Sequence, residues 1–159
     1  MPISLSRFLA RSVDTKATAG ELNSPPVLGA LVVGAAELGA VRFGVPQDYL
    51  VRELRAAKMT TVAGVFDEFA AAFQFPYYFG ANKDAFDECL RDLDEFVGTA
   101  AGYVAVVRDS ARLLADAPGE RGWFVGAMRD CADYWAAKGI AFRVVLQGES
   151  PLADVRLTN

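Results

Sequence analysis

The stretch Tyr103-Val104-Ala105-Val106-Val107 is a short, continuous run of apolar residues. A run of this length without alternating polar positions is typical of a parallel strand that is buried on both faces. Residues 49–54 and 141–146 are two further segments that suit strands. Because helical patterns separate the three segments, the sequence predicts an α/β protein with a small three-stranded parallel sheet flanked by helices.

Start and stop signals bound the predicted helices. Thr60-Thr61 precedes a segment whose apolar residues recur at helical spacing from residue 62 to residue 73. Asn82 is a candidate cap for a second helix, which we expect to continue as one element to about residue 97. Residues 122–137 predict a third helix, and Gly139 fits the position just past its C-terminus.

The chain divides by composition into three parts. Residues 1–47 are expected to form an N-terminal extension, residues 48–148 the main domain, and residues 149–159 a polar C-terminal tail. Within the extension, residues 12–26 are polar and turn-rich, whereas residues 27–46 fit two short strands or one helix plus a strand. We expect the extension to pack on the main domain, with part of it covering an edge of the small sheet.

The composition excludes several kinds of catalysis. The 159 residues contain no histidine, which removes Ser-His-Asp and Cys-His catalysis, a histidine base and histidine-ligated zinc. The two cysteines, Cys89 and Cys131, lie within apolar patterns and are interpreted as buried thiols. With a formal net charge of −4, the chain lacks the cationic surplus that favours nucleic-acid binding. We therefore expect no cofactor, no metal and no direct contact with nucleic acid.

No segment has the composition of a membrane anchor. The longest purely apolar stretch, residues 27–36, is ten residues long, which is too short to cross a bilayer. The N-terminal bases Arg7 and Arg11 are not followed by the long apolar core of a signal peptide. The sequence therefore predicts a soluble, cytoplasmic protein that does not bind membranes.

The negative charge is concentrated between residues 83 and 95. This segment holds six acids and two bases, so its net charge of −4 equals that of the whole chain. On a helical wheel the acids occupy one side and the apolar residues the other, which predicts one helix with an acidic face. The acids at the centre of that face are Asp84, Glu88 and Glu95, and those that flank it are Asp87, Asp92 and Asp94.

Three interpretations of this acidic face are open. It is a solvated face, a docking face for a cationic protein, or a carboxylate pair for hydrolysis or metal binding. A catalytic pair needs a pocket that shifts the pKa of one carboxyl group, and an exposed helix face offers none. We therefore expect a binding protein rather than an enzyme.

One long segment resembles a known family. The segment reads Phe75-Pro76-Tyr77-Tyr78-Phe79-Gly80-Ala81-Asn82-Lys83-Asp84-Ala85-Phe86-Asp87-Glu88-Cys89-Leu90-Arg91-Asp92-Leu93. It is similar to the signature of the barstar family. Members of that family are small intracellular inhibitors of secreted bacterial ribonucleases related to barnase. Residues 102–107 and 135–146 are similar to later segments of that family, so the resemblance covers about residues 48–148.

The resemblance implies a fold and a function. The implied fold is again a three-stranded parallel sheet flanked by helices. The implied function is that the acidic second helix and the preceding loop, kept slim by a glycine that is able to adopt a positive φ, plug the cationic active site of a ribonuclease without any cofactor. The implied partner-binding residues are Tyr78, Gly80, Asn82, Asp84, Asp87, Glu88 and Asp92.

Several positions depart from the family pattern. Glu88 stands where barstar has aspartate, and Lys83 stands where barstar has an apolar residue. Asp87 and Leu93 stand where barstar has tryptophan, so two aromatic contacts are lost. The outlying contact glutamate of barstar falls at about Tyr134.

These departures keep alternatives open. One is a barstar-fold immunity or interaction protein whose target is a different cationic nuclease toxin or another protein partner. Another is a regulatory partner domain that binds through residues 1–47. In every case the expected partner is a protein rather than a membrane or a nucleic acid.

Overall fold

The computed structural model describes residues 2–10 and 25–159. Across these residues a single sheet of six strands has the order β1-β6-β2-β5-β4-β3, and every neighbouring pair is parallel. The strands are β1 (Ile3–Ser4), β2 (Leu28–Leu31), β3 (Tyr49–Arg55), β4 (Gly102–Arg108), β5 (Ala141–Gln147) and β6 (Val155–Thr158).

Helices cover both faces of the sheet. They are α1 (Leu5–Leu9), α2 (Ala35–Gly39), α3 (Val41–Gly44), α4 (Val62–Ala72), α5 (Lys83–Leu90), α6 (Leu93–Val97) and α7 (Arg121–Ala136). The predicted caps are confirmed, because the Thr61 hydroxyl accepts from the N–H of Gly64 and the Asn82 side chain accepts from the N–H of Ala85. Gly139, just past α7, has a φ of 73°.

Strand β4 lies at the centre of the core. Tyr103, Ala105 and Val107 pack in the cluster formed with α4, α5 and α7. Val104 and Val106 belong to the second cluster, which contains residues of α1, α2 and α3. The prediction that this apolar run is a parallel strand buried on both faces is therefore confirmed.

The prediction of a three-stranded sheet is wrong, because the sheet has six strands. Strands β3, β4 and β5 are the predicted ones, whereas β1, β2 and β6 come from the expected extension and tail. Each added strand has only two to four residues. Each also pairs with a strand more than 100 residues away in the sequence: Ile3 lies opposite Leu157, and Gly29 lies opposite both Val145 and Val155. Such short strands leave no periodic signal in the sequence.

The segments outside the predicted domain are built into the sheet. Residues 27–46, for which two patterns were open, form β2 followed by α2 and α3. Residues 12–24 of the predicted turn-rich segment lie outside the described residues. In β6 only Leu157 is buried, which is why residues 149–159 have the composition of a polar tail although they end in a strand.

Two polar side chains tie these segments to the rest of the molecule. The Asp154 carboxylate accepts from the N–H groups of Val27 and Leu28, at 3.0 Å and 3.1 Å, and binds Arg129 of α7. The guanidinium of the buried Arg143, on β5, donates to the carbonyl of Phe8 at 2.9 Å. The bonds from Asp154 to Val27 and from Arg143 to Phe8 each span more than 100 residues of sequence. They connect the N-terminal segments directly to the C-terminal part of the molecule.

Cys89 and Cys131 are free and buried, as predicted. Burial raises the pKa of both thiols, and the effect is larger for Cys131. Among residues 2–10 and 25–159, no helix combines the length and the hydropathy that crossing a membrane requires.

Candidate partner-binding surface

The predicted helix from Asn82 to residue 97 is two helices rather than one. Helix α5 ends at Leu90, whose carbonyl accepts a hydrogen bond from the indole N–H of Trp135 at 2.8 Å. The N–H groups of residues 91 and 92 then donate to the carbonyls three residues earlier, as in a 3₁₀ turn, and α6 begins at Leu93. The indole that bonds the Leu90 carbonyl comes from α7, so the surroundings of this helix end include a residue outside the acidic segment.

The six acids therefore lie on two short helices and the turn between them. We call the carboxylates of these residues the acidic surface. They are Asp84, Asp87 and Glu88 on α5, Asp92 in the turn, and Asp94 and Glu95 on α6.

The acids at the centre of the predicted binding face are exposed. Asp84 and Glu88 lie four residues apart on α5, which is slightly more than one helical turn and about 6 Å along the axis. Among the described residues, no Lys or Arg nitrogen lies within 4.0 Å of any carboxylate oxygen of the acidic surface. Their charge is therefore uncompensated by ion pairs within that part of the chain.

Asp87 has a different environment from its neighbours. Its side chain lies in a small cleft between α5 and α7, and its Oδ1 atom is buried with no hydrogen-bond partner among the described residues. Burial raises the pKa of Asp87, and the charges of Asp130 and Asp84 raise it further, while Arg91 opposes them. Asp87 and Asp92 are half-buried, so they lie at the border of the exposed acidic surface.

Lys83, the base at the start of α5, is held by groups outside the acidic surface. Its Nζ lies 2.7 Å from Oε2 of Glu120 and 5.1 Å from the centre of the Trp123 ring. Because Glu120 neutralises this ammonium group, Lys83 removes little of the negative potential that Asp84 and Glu88 produce.

The loop before α5 is a tight turn with apolar anchors. The N–H of Phe79 donates to the carbonyl of Pro76 at 2.9 Å, which closes the turn. The Phe79 ring packs edge-on against Phe66 and Phe75, at centroid distances of 5.8 Å and 5.1 Å. Tyr78, at the centre of the turn, is exposed over 64% of its surface.

Gly80 and Asn82 join this turn to α5. Both residues are exposed, and the Asn82 side chain accepts from the N–H of Ala85 at 2.8 Å and donates to the carbonyl of Gly80 at 3.4 Å. A Cβ on Gly80 would lie 2.9 Å from Nδ2 of Asn82. The positive φ occurs at Ala81, at 49°, and not at Gly80, so the glycine serves close approach of the Asn82 amide rather than a left-handed turn.

The Tyr78 hydroxyl on the loop is influenced electrostatically by carboxylates of the acidic surface. The pKa of the Tyr78 hydroxyl is raised, first by desolvation and then by the charges of Cys89, Glu95 and Asp92.

Two residues of this surface were not identified from the sequence. Tyr77 is fully exposed beside Tyr78, although Phe75 and Phe79 in the same aromatic run are packed, and composition alone does not distinguish them. Asp130 on α7 faces the cleft that holds Asp87, more than 40 residues further along the chain. Neither residue carries a local signal, because burial and proximity arise from the tertiary fold.

The predicted outlying contact position, Tyr134, is a half-buried aromatic residue rather than an exposed acid. Tyr134 is half-buried, and its ring packs against Trp135 and lies 4.6 Å below the ammonium group of Lys138. The neighbouring Asp133 is exposed. The predicted contact position therefore holds a tyrosine ring, and the adjacent carboxylate is that of Asp133.

The fold and the surface together define an α/β domain that presents two short acidic helices and, before them, an aromatic loop. Residues 49–147 match the family model described as Barstar (barnase inhibitor), which is well over half of the 159 residues. The chain belongs to the barstar family. A comparison with curated protein sequences found no match. The match spans β3 to β5 with α4 to α7, and it leaves β1, β2, β6 and the helices α1 to α3 outside.

Proposed function

We propose that the chain inhibits a ribonuclease of the barnase type by covering its active site with the acidic surface and the loop of residues 76–82. The observation that carries the proposal is that Asp84 and Glu88 are exposed and have no basic partner within the described residues. Family membership supports the same partner class, since the family description names barnase as the inhibited enzyme.

The physical reason is that a ribonuclease cleft is built to hold phosphates. Arg and Lys side chains in such a cleft make strong, charge-assisted hydrogen bonds to any correctly placed oxyanion. Carboxylates on a rigid helix take the phosphate positions without being cleaved. Concentrated negative potential also raises the association rate with a cationic partner.

The proposal includes the setting in which the inhibitor acts. The chain is an antitoxin or immunity protein that works in the cytoplasm of a bacterium and blocks the enzyme before secretion. It acts by one-to-one occlusion and catalyses no reaction itself. We further infer that residues 48–148 form the inhibitory unit, since all proposed contacts fall within that range, and that the flanking strands support it.

The test is a titration of barnase activity on RNA with the full chain. We expect activity to fall to zero at one chain per enzyme molecule. Asp84→Ala combined with Glu88→Ala should weaken inhibition at least about 30-fold, because each removed charge leaves a buried cation of the enzyme unpaired.

The matched control is Asp67→Ala combined with Asp116→Ala. These two exposed acids lie outside the acidic surface and have no basic partner among the described residues, so the control removes the same charge elsewhere. It should change inhibition less than about threefold. Barnase that stays fully active at micromolar concentrations of the chain, or equal losses in the two double variants, would contradict the proposal.

A second candidate is an immunity protein for a different cationic nuclease. It is favoured by Lys83, which is fixed to Glu120, and by Asp87, which is turned into the cleft between α5 and α7. Both positions depart from barstar and change the shape of the binding face. The same titration with a small cationic deoxyribonuclease, read out by DNA cleavage, distinguishes the two candidates, since each enzyme is inhibited under only one of them.

A further inference from the structure

We propose that the crevice at the carboxyl ends of β2, β4 and β5 binds a free α-amino acid. The crevice has a volume of about 540 Å³, and residues that follow each of the three strands line it. They are Val33 after β2, Asp109, Ala111 and Arg112 after β4, and Gly148 and Glu149 after β5. None of these residues belongs to the acidic surface or to the loop of residues 76–82, so the inference goes beyond the proposed function.

The chain leaves the neighbouring strands β2 and β5 in opposite directions. After β2 it runs to β3 through α2 and α3, whose Leu38 and Val41 pack on one face of the sheet. After β5 it runs the other way to β6, through a connection whose Leu152 and Ala153 pack on the opposite face. In open parallel sheets a crevice forms outside the carboxyl ends of two such strands, and small ligands bind in it.

The crevice depends on a strand outside the family match. Strand β2 and Val33 precede residue 49, where the match begins. The residues that match the family model therefore supply the walls after β4 and β5 but not the wall after β2. The crevice is a feature of this six-stranded sheet as a whole.

The side chain of Gln147 joins the three strand ends. Its Oε1 accepts from the N–H of Asp109 at 2.9 Å, and its Nε2 donates to the carbonyl of Val33 at 3.1 Å. The hydroxyl of the buried Ser110 donates to the Gln147 carbonyl at 2.6 Å. Because these bonds hold the walls in place without a ligand, binding requires little further ordering of the chain.

The crevice contains two opposite charges that are not paired. Asp109 and Arg112 are exposed, and neither has an ion-pair partner among residues 2–10 and 25–159. Glu149, the third charged residue of the lining, binds Arg156 instead. A guanidinium group binds a carboxylate through two parallel hydrogen bonds, and a carboxylate binds an ammonium group. A ligand that satisfies both charges is a small zwitterion, which is the chemistry of an α-amino acid.

The size and the remaining lining suit an aliphatic amino acid. Small-molecule sites have volumes of about 300–1,000 Å³, and this crevice lies within that range. Val33 and Ala111 add apolar surface to the same crevice. We therefore expect the ligand's charged groups to bind Asp109 and Arg112 and its side chain to contact these two residues.

The experiment titrates the full chain with each of the 20 amino acids by calorimetry, without any ribonuclease. We expect an aliphatic amino acid to bind with a Kd of about 1 mM or tighter. The N-acetyl derivative, which lacks the ammonium group, and the methyl ester, which lacks the carboxylate, should each bind at least about tenfold more weakly. These two analogues test both charges on the unmodified chain, so the result does not depend on the folding of a variant.

Variants assign the two charges to residues. Arg112→Gln and Asp109→Asn should each raise Kd at least about tenfold, and asparagine tolerates the left-handed φ of 52° at residue 109. The matched controls are Arg42→Gln and Asp116→Asn, which remove exposed charges that do not line the crevice, and they should leave Kd unchanged.

Three results would overturn the inference. They are the absence of amino-acid binding up to about 10 mM, equal binding of either analogue, and an unchanged Kd in Arg112→Gln or Asp109→Asn. Because the titration contains no ribonuclease, each of these results leaves the proposed function intact.

Discussion

Carboxylates in two parts of the molecule have opposite surroundings. Elsewhere in the described chain, five acids each lie within ion-pair distance of a lysine or arginine, and none of the six acids of the acidic surface does. The paired acids are Glu53, Glu68, Glu120, Glu149 and Asp154. Five bases therefore connect structural elements through ion pairs, whereas the carboxylates on α5, on α6 and in the turn between them have no such partner in the described chain.

Asp154 and Asp87 represent the two situations most clearly. Burial opposes ionisation of Asp154, but hydrogen bonds from Arg129 and two backbone N–H groups outweigh burial and lower its pKa. The pKa of Asp87 is raised by burial, and no donor compensates. Ionisation of Asp154 therefore stabilises the folded state. Ionisation of Asp87 destabilises the folded state relative to its protonated form.

The largest change in stability is expected from Asp154→Asn. The substitution removes the charge that binds Arg129 and accepts from the N–H groups of residues 27 and 28. We expect a loss of about 2–3 kcal/mol in the free energy of unfolding at pH 7. Since the pKa of Asp154 is lowered by folding, its stabilisation is present above the unfolded value and is lost as the pH falls through the folded value. Denaturant unfolding at pH 7 and pH 3 checks this, and an equal loss at both pH values would contradict it.

A smaller loss is expected from Glu68→Gln. Glu68 accepts from the side chain of Arg55 at 2.7 Å and from its N–H at 3.1 Å, and the side-chain bond is the main reason that its pKa is lowered. Because Arg55 is well exposed, we expect a loss of about 1 kcal/mol or less. Urea unfolding in low and high salt measures it, and a loss as large as that of Asp154→Asn would show that exposure of the pair matters little.

The opposite sign is expected for Asp87→Asn. The folded state holds its proton more tightly than the unfolded state, so the contribution of Asp87 to stability falls as the pH rises from the unfolded pKa through the raised folded pKa. The variant should gain up to about 1 kcal/mol at pH 7 and nothing at pH 3. Thermal unfolding at the two pH values tests the sign, and a loss of stability at pH 7 would mean that ionised Asp87 is satisfied by water in the cleft.

The smallest change is expected from Glu88→Gln. The residue is exposed and has no basic partner in the described chain. The free energy of unfolding of the variant should therefore stay within about 0.5 kcal/mol of that of the unmodified chain. Any change should be a slight gain in stability, because the substitution relieves repulsion between neighbouring carboxylates on α5. Chemical denaturation resolves this, and a loss above 1 kcal/mol would assign Glu88 a structural role.

Features set by local sequence were predictable. The apolar run of β4 and the caps Thr61 and Asn82 depend only on neighbouring residues, and the structure confirms them. The buried face of α5 also followed from helical spacing, with Phe86 and Leu90 in the core. The exposure of Asp84 and Glu88 is the other side of the same pattern.

Features set by distant residues were not predictable. Strand β2 forms because residues 144–147 and 155–157 lie beside it, and its own four residues contain no strand signal of sufficient length. The Trp135 indole that bonds the Leu90 carbonyl belongs to α7, and so do residues that line the cleft around Asp87; both contacts join segments far apart in the sequence. The exposure of Tyr77 depends on which rings of an aromatic run the core accepts.

The salt dependence of partner binding tests the central claim most directly. If uncompensated carboxylates drive association, Kd for barnase should rise steeply between about 50 mM and about 500 mM salt. Asp84→Asn combined with Glu88→Gln should flatten that slope, and Asp67→Asn combined with Asp116→Asn should leave it as it is. A Kd that does not change with salt, or one slope shared by all three chains, would contradict the account.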